Sequence, residues 1–356
     1  MITIRPPRNP AEVRLIEVLQ RQIWGMDDLA ITPYNTLHAL EHAGGLLLLA
    51  FDGEHPIGFT FGFPGYRGGK SIFWSHMTGV LPEYQRQGIG RKIKFAQRQH
   101  VMERGYTAAG WTFDPLRQKN AVFNIAALGA VCRQLHIELY GEMSDGINAG
   151  LVSDRFEVEW PLTHPHVEKL SNSGQPAFAR SVPSEFYVLR VANGEPLLLN
   201  YDYTLPEAAI ELPAEVDQMR QKSPEKVRRW YHALREAIIP LFDAGYWVDQ
   251  ICLSPDVFAY ILRRDKAWYL YVLETAAGTF YTGIATDVEK RLKQHNTGKG
   301  AKYTSLRRPV KVVAVWETFG RSKATQLEYA FKQLSRSQKI RMVASHETFL
   351  GAKRVQ

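Results

Sequence analysis

The sequence predicts a mixed α/β fold divided between two modules, and three observations lead there. Segments of helical and of strand-like period interleave from the N-terminus to Leu162. A stretch rich in Ser, Pro, His and Asn, residues 164–183, then interrupts them. Beyond Asp265 the charge changes sign: residues 266–356 hold 17 Lys+Arg against 6 Asp+Glu, a net +11, while everything before them nets −3. A basic module of this kind most often meets phosphates, although a merely soluble basic domain would show the same balance. A chain of 356 residues, 45% apolar and 22% charged, excludes collagen-like, low-complexity and largely disordered classes. Its longest apolar run, Gly44 to Phe51, is far short of the roughly 18–20 residues that span a bilayer, so no membrane partner is expected. The N-terminal residues lack the apolar segment of a secretory signal. Cys132 and Cys252 form neither a disulfide framework nor a CxxC site, which predicts a reducing, cytoplasmic setting.

Each element follows from its local pattern. Pro10 to Trp24 has apolar residues at helical spacing. Gly45 to Asp52 and Pro56 to Phe63 read as strands joined by the Asp52-Gly53-Glu54 turn. Ser71 to Val80 is a third strand, and Pro82 opens a Gly-rich turn before a helix over 91–104. Tyr106 to Phe113 is again a strand, followed by a helix near Ala121 to Leu128. Residues 164–183 read as an irregular connection. Ser223 to Phe242 is a helix, with Ser223 as its cap and Pro224 in its first turn. Gly245 to Cys252 and Val257 to Leu262 are strands. In the basic module, Trp268 to Leu273 and Thr279 to Ile284 flank a turn at Ala277-Gly278. A helix over 287–296, a basic loop over 299–308, a strand over 310–319 and a helix over 322–336 follow.

The first chemical motif is the turn between the third strand and its helix. Glycines at 88 and 90 let backbone approach an anion, and the free N–H groups of the following helix favour a phosphate. A lone Gly-x-Gly turn is as often only a tight connection. The extended pattern Val80-x-Pro82-x-x-Gln85-x-x-Gly88-x-Gly90 is more specific, and it resembles the coenzyme A signature of the GNAT acyltransferase superfamily. The resemblance implies a mixed sheet flanked by helices. It implies that the backbone of Gln85, Arg86, Gln87, Gly88, Ile89 and Gly90 holds the pyrophosphate of acetyl-CoA or another acyl-CoA. Gly79 and Val80 would pair with the pantetheine arm, and Asn124 would border the same cofactor. Where many relatives carry a Tyr that protonates the leaving thiolate, this chain has Ile125. His76 is the candidate base for an amine acceptor of unknown identity, with a hydrogen-bonded sheet histidine as the plain alternative. Asp114, Arg117 and Asn120 follow a strand end, either as substrate groups or as a polar turn. Asp154-Arg155 reads as a local ion pair.

The second motif lies in the basic module. Tyr271 and Tyr281 fall on adjacent strands of a hairpin, Arg291 and His295 share a helix face four residues apart, and Glu328 sits on a separate helix. Aromatic strands packing a core would explain Tyr269 and Phe280, but not the whole ordered set. The sequence Tyr269-Leu-Tyr271 with Tyr281-Thr-Gly283 and these later residues resembles the GIY-YIG nuclease family. The resemblance implies phosphodiester hydrolysis with one divalent ion on Glu328. Arg291 would brace phosphate oxygens, Tyr271 would help activate water, and Tyr281 and His295 would complete the site. Oxygen ligation and hydrolysis indicate Mg²⁺ or Mn²⁺. Lys299, Lys302, Tyr303, Arg307 and Arg308 would contact DNA or another nucleic acid, with a solvated loop as the alternative.

The expected organisation is a GNAT-type domain over 1–162, an extension of it over 163–262, a small α/β GIY-YIG nuclease domain over 266–345, and a basic tail over 346–356. The expected function is an acyl-CoA-dependent N-acyltransferase fused to a metal-dependent endonuclease. Two alternatives stay open: a coenzyme A-binding scaffold in the first half, and a non-cleaving nucleic-acid-binding module in the second.

Overall fold

The structure, a computed structural model, describes residues 1–67, 69–141, 152–179 and 181–356. It comprises two compact units: residues 1–242 with 247–263, and residues 243–246 with 264–356. Among the described residues no helix is long and apolar enough to cross a membrane.

Among the described residues, twelve strands form the sheet on which the first unit is built. They are β1 (Ile2–Arg5), β2 (Leu46–Asp52), β3 (His55–Arg67), β4 (Lys70–Val80), β5 (Ala108–Phe113) and β6 (Val131–His136), then β7 (Arg155–Pro161), β8 (Tyr187–Ala192), β9 (Glu195–Leu198), β10 (Glu207–Pro213), β11 (Tyr246–Leu253) and β12 (Val257–Arg264). Their spatial order is β1-β2-β3-β4-β5-β7-β6-β11-β12-β10-β8-β9. Alternation along β2 explains how both faces are covered. Leu47 and Leu49 join Val13, Ile16 and Leu19 of α1 (Pro10–Trp24) and Leu37 of α2 (Tyr34–His42). Ala50 turns the other way, toward Ile89 and Ile93 of α3 (Ile89–Glu103). Asn9 caps α1 by accepting from Glu12 N at 3.0 Å.

Two strands part in the middle of this sheet. β4 and β5 are parallel neighbours paired only at Phe73–Ala109 and Trp74–Gly110, although β4 stays paired with β3 as far as Val80–Gly58. A register shift at Phe61/Gly62 leaves His76 as the extra residue of β4. Beyond Trp74 the edge of β4 facing β5 has no strand partner, and this opening becomes the cleft described below.

The chain past Leu162 is more ordered than its composition suggests. Residues 165–173, expected to be irregular, form α5 (Pro165–Ser173): His164 Nδ1 accepts from His166 N, Pro165 opens the first turn, and Val167 and Leu170 are buried. The helix expected near Ala121 begins earlier, as α4 (Gln118–Ala121), and ends as a π-helical turn over Val122–Ala127. After α6 (Val216–Lys222), α7 (Pro224–Asp243) buries Val227, Trp230, Tyr231, Leu234 and Ile238 along one stripe. β11 pairs with β6 at Val248–Cys132, so the extension continues the same sheet.

The second unit is a four-stranded antiparallel sheet of β13 (Ala267–Thr275), β14 (Phe280–Ala285), β15 (Val310–Phe319) and β16 (Lys353–Arg354), in the order β14-β13-β15-β16. Its helices are α8 (Val288–Asn296), α9 (Lys302–Ser305), α10 (Arg321–Gln333) and α11 (Arg336–Ala344). Leu270, Val272, Trp316, Leu327 and Phe331 form its core. Two expectations are corrected here. The basic loop contains the helical turn α9. The stretch read as a basic tail supplies β16, and Phe349 and Ala352 enter the core. Its basic character misleads because the Arg354 guanidinium lies 4.5 Å from the Trp316 ring centroid, a cation–π contact that tolerates charge at a sheet edge.

Candidate functional site

In the first unit, a cleft of about 290 Å³ opens where β4 and β5 part. Ser75, His76 and Thr78 line it from β4, Trp111 and Asp114 from β5 and its end, and Lys94 from α3. His76 lies against Phe61 and Phe63, with centroids 5.4 and 5.9 Å away. Desolvation against them lowers its pKa from the ordinary histidine value, so it presents a neutral imidazole at neutral pH. Asn124 accepts from Trp111 Nε1 at 2.9 Å and is 4% exposed; Ile125 beside it is also buried.

The turn that follows β4 is preorganised by its own side chains. Gln85 Nε2 donates to Val80 O and Gln87 Nε2 to Glu83 O, both at 3.0 Å. Arg86 and Gly88 take left-handed backbone with φ of 60° and 76°, which is why glycine stands at 88. The chain then enters α3 at Ile89, whose first N–H groups have no intrahelical partner. Gly79 and Val80 pair with Phe59 and Gly58 on the β3 side.

Asp114, Arg117 and Asn120 do reach the cleft, and two of them are held by the extension. Asp114 accepts from Arg220 of α6 and, at 3.0 Å, from the Tyr231 hydroxyl of α7. Arg117 pairs with Asp217 at 2.9 Å. The pair Asp154-Arg155 is not a local ion pair: Asp154 binds Arg235 of α7 at 2.7 Å, because that carboxylate is fully buried and needs a long-range partner, while Arg155 lines the cleft. Sequence reasoning missed Lys94, Ser75, Trp111, Arg220 and Tyr231. Only Lys94 left a signal, since Lys94 and Gln97 interrupt the buried stripe of α3.

In the second unit, five expected residues converge. Tyr271 on β13 lies over Gly283 of β14. A Cβ there would sit 2.5 Å from the phenol oxygen, so only glycine permits the approach. Tyr271 OH and His295 Nε2 are 3.2 Å apart, and His295 Nδ1 is 2.6 Å from Thr304 Oγ1. The Thr304 hydroxyl donates to Ala301 O at 2.9 Å. It must therefore accept from His295 Nδ1–H, which leaves Nε2 to accept from Tyr271. His295 is fully buried, and burial with the Arg291 charge lowers its pKa. Burial raises the Tyr271 pKa to about 12 despite the hydrogen-bonding Arg291 guanidinium, with Tyr281 and Glu328 among the groups that raise it further. Tyr281 packs 5.0 Å from the His295 ring and 6.2 Å from Tyr303. Arg307 lies 4.2 Å over Tyr303.

Glu328 projects from α10 and pairs with Lys332 at 2.7 Å. Among the described residues no group of three His, Cys, Asp or Glu side chains could ligate a metal. One carboxylate completed by water and phosphate oxygens still suits Mg²⁺, which dehydrates reluctantly. Lys299, Lys302 and Arg308 are exposed, and Arg308 folds back to Ser305 O.

Comparison with known proteins assigns these two regions. Residues 13–123 match the acetyltransferase (GNAT) family and residues 267–341 the GIY-YIG catalytic domain. The chain therefore joins a GNAT acetyltransferase-type domain to a C-terminal GIY-YIG domain. Through the latter it belongs to the UPF0213 family. A UPF0213 protein of Cupriavidus pinatubonensis is 46% identical over 83 residues, 23% of this chain and 92% of the relative. One of Yersinia pestis is 46% identical over 86 residues, 24% of this chain and 90% of the relative. Two solved structures are similar to part of the chain. Aminoglycoside 6'-acetyltransferase type Ii is 15% identical, with a TM-score of 0.37, 46% of this chain and 98% of that one covered. Ribosomal-protein-S18-alanine N-acetyltransferase from Escherichia coli is 15% identical, with a TM-score of 0.36, 46% and 96% covered.

Proposed function

We propose that the chain is bifunctional, an acyl-CoA-dependent N-acyltransferase and a metal-dependent endonuclease acting on DNA in the reducing cytoplasm. The observation that carries the nuclease reading is the convergence of Tyr271, Tyr281, Arg291 and His295, with Glu328 close enough to bias the Tyr271 phenol. Glu328 would hold Mg²⁺ or Mn²⁺, which supplies charge neutralisation at the phosphate and at the leaving oxygen. Tyr271, protonated at neutral pH, passes its proton to the neutral His295 Nε2 as it takes one from the attacking water. His295 accepts it because Nδ1–H is already committed to Thr304. Arg291 offsets charge on the phosphate oxygens. Tyr303 and Arg307, with Lys299, Lys302 and Arg308, follow the backbone of the nucleic acid.

In the first unit, backbone amides at 85–90 would take the pyrophosphate of acetyl-CoA, and Gly79 and Val80 the pantetheine arm. The turn fits, since Gly88 leaves open space around it and the N-terminus of α3 follows directly. The bound thioester supplies the activated acyl group. His76 removes a proton from the acceptor amine, and Asp114, Arg117 and Asn120 orient that acceptor.

The test is nicking of supercoiled and branched DNA with Mg²⁺ or Mn²⁺, compared with EDTA, for wild type and Glu328→Gln. Metal-dependent cleavage lost in the variant, with binding kept, is the expected result. A second reading, a non-cleaving binding module, draws on the Glu328–Lys332 pair, in which the carboxylate is already engaged. DNA retention with no cleavage by wild type on any substrate would establish it.

A further inference from the structure

One side chain in the cleft is out of keeping with its surroundings. Lys94 is 2% exposed, on the face of α3 that meets the opening between β4 and β5. Its Nζ donates to Ser75 Oγ and to Gln97 Oε1, both at 2.7 Å, and lies 3.8 Å from the Trp111 ring centroid. The network continues inward: Ser75 donates to Gln97 Oε1 at 2.9 Å, and Gln97 Nε2 donates to Thr60 Oγ1 at 3.1 Å. Every partner is neutral, and among the described residues no carboxylate forms an ion pair with Lys94. Burial without a counter-charge disfavours the ammonium form and pushes its pKa well below the ordinary lysine value. A lysine biased toward its neutral form, the nucleophilic one, thus lines the cleft proposed for the thioester.

We propose that Lys94 is a self-acylation site, which takes the acyl group of a bound acyl-CoA when no acceptor amine is present. This rests on the acyl-CoA reading of the cleft. The Nζ lone pair attacks the thioester carbonyl carbon, a C–N bond forms and the C–S bond breaks. Coenzyme A leaves as the thiol, carrying the proton that the amine gives up. The product is a neutral amide that keeps one N–H for Ser75 or Gln97 and can no longer charge beneath Trp111.

Lys92, exposed two residues earlier on the same helix, is an internal reference. An ordinary solvated lysine is neutral in only about one part in 2,500 at neutral pH, so chemical acylation of such a group is slow. The experiment incubates the full chain with acetyl-CoA and no acceptor, then measures intact mass, free thiol and acetylation at each lysine. The expected result is one acetyl group per chain, an equal amount of thiol, and occupancy at Lys94 more than about tenfold above Lys92. Lys94→Met should abolish the mass gain. Should that variant fail to fold, the ratio within wild type still decides. Titration with coenzyme A, followed by calorimetry, separates the two readings. Coenzyme A bound with Lys94 unmodified, or acetyl groups spread evenly over exposed lysines, overturns self-acylation alone. No binding of coenzyme A overturns both.

Discussion

The grip of the extension on Asp114 can be taken apart one group at a time. The Asp114 carboxylate is 6% exposed and accepts from Arg220, from the Tyr231 hydroxyl at 3.0 Å and from Leu116 N at 3.0 Å. Arg220 also donates to the Tyr231 hydroxyl at 2.8 Å, so the three groups form a closed triangle. Tyr231→Phe removes a hydrogen bond to a charged group and leaves the ion pair, which predicts a loss of about 1.5–3 kcal/mol. Arg220→Met leaves a buried carboxylate without its counter-charge and should cost about 3–5 kcal/mol. Asp114→Asn should cost a similar amount, because the Nε and Nη1 atoms of Arg220 are already buried without hydrogen-bond partners. The double variant, Asp114→Asn with Arg220→Met, should recover much of the loss, since neither charge is then stranded. Native-state hydrogen exchange on peptides from α7 reads the free energy of this unit within the full chain. A cost for Arg220→Met below about 0.5 kcal/mol, or a strictly additive double variant, would show that the triangle does not hold Asp114.

Three further outcomes are expected. Arg291→Ala should slow DNA cleavage by about 100–1,000-fold, the usual cost of losing one donor to transition-state charge, with little change in DNA retention. The cleavage rate should be flat across neutral pH and fall only in acid, as the lowered His295 pKa is reached, because Tyr271 at about 12 stays protonated throughout; a rate still climbing through mildly alkaline pH refutes the assigned proton path. Asp249 is the third case: burial raises its pKa to about 6 although Arg263 lies 3.1 Å away. A carboxyl whose folded pKa exceeds its unfolded one near 3.9 contributes fully below about pH 4, and that contribution is lost as pH rises through about 6. Asp249→Asn should therefore add on the order of 2–3 kcal/mol at neutral pH and flatten stability between these limits, as urea unfolding at several pH values would show.

Periodicity exposed the elements that own a face. Pro10–Trp24 and Val310–Phe319 are read from the chain with their observed bounds, the first because its apolar residues recur at helical spacing, the second because it is a continuous run rich in Val and aromatic residues. It missed β16, whose place is decided by the distant Trp316, and α5, whose local start signals, Pro165 and the capping His164, were masked by the polar composition around them. The second site was legible because its spacing is local, with Arg291 and His295 one helical turn apart and Gly283 required beneath Tyr271. Thr304 was not, since nothing in its neighbourhood announces that its hydroxyl sets the tautomer of His295. Arg220 and Asp114 stand 106 residues apart, and only the folded extension brings them together.

The connectivity of the two units carries a consequence for how the chain can be broken. The backbone leaves the first unit after Phe242, spends Asp243–Tyr246 in the second, returns for Trp247–Arg263, and only then departs for good. Two of those four residues are hydrogen-bonded within the second unit, Asp265 N donating to Gly245 O at 3.0 Å and Arg264 Nε to Ala244 O at 3.1 Å. A single tether can be cut by one protease nick or lost with one shortened message, leaving each side whole. Here a break after Arg263 keeps the acetyltransferase-type unit entire but carries a splint of the nuclease-type unit away with it. A chain cut there does not release the second unit complete, because residues 243–246 stay behind with the first.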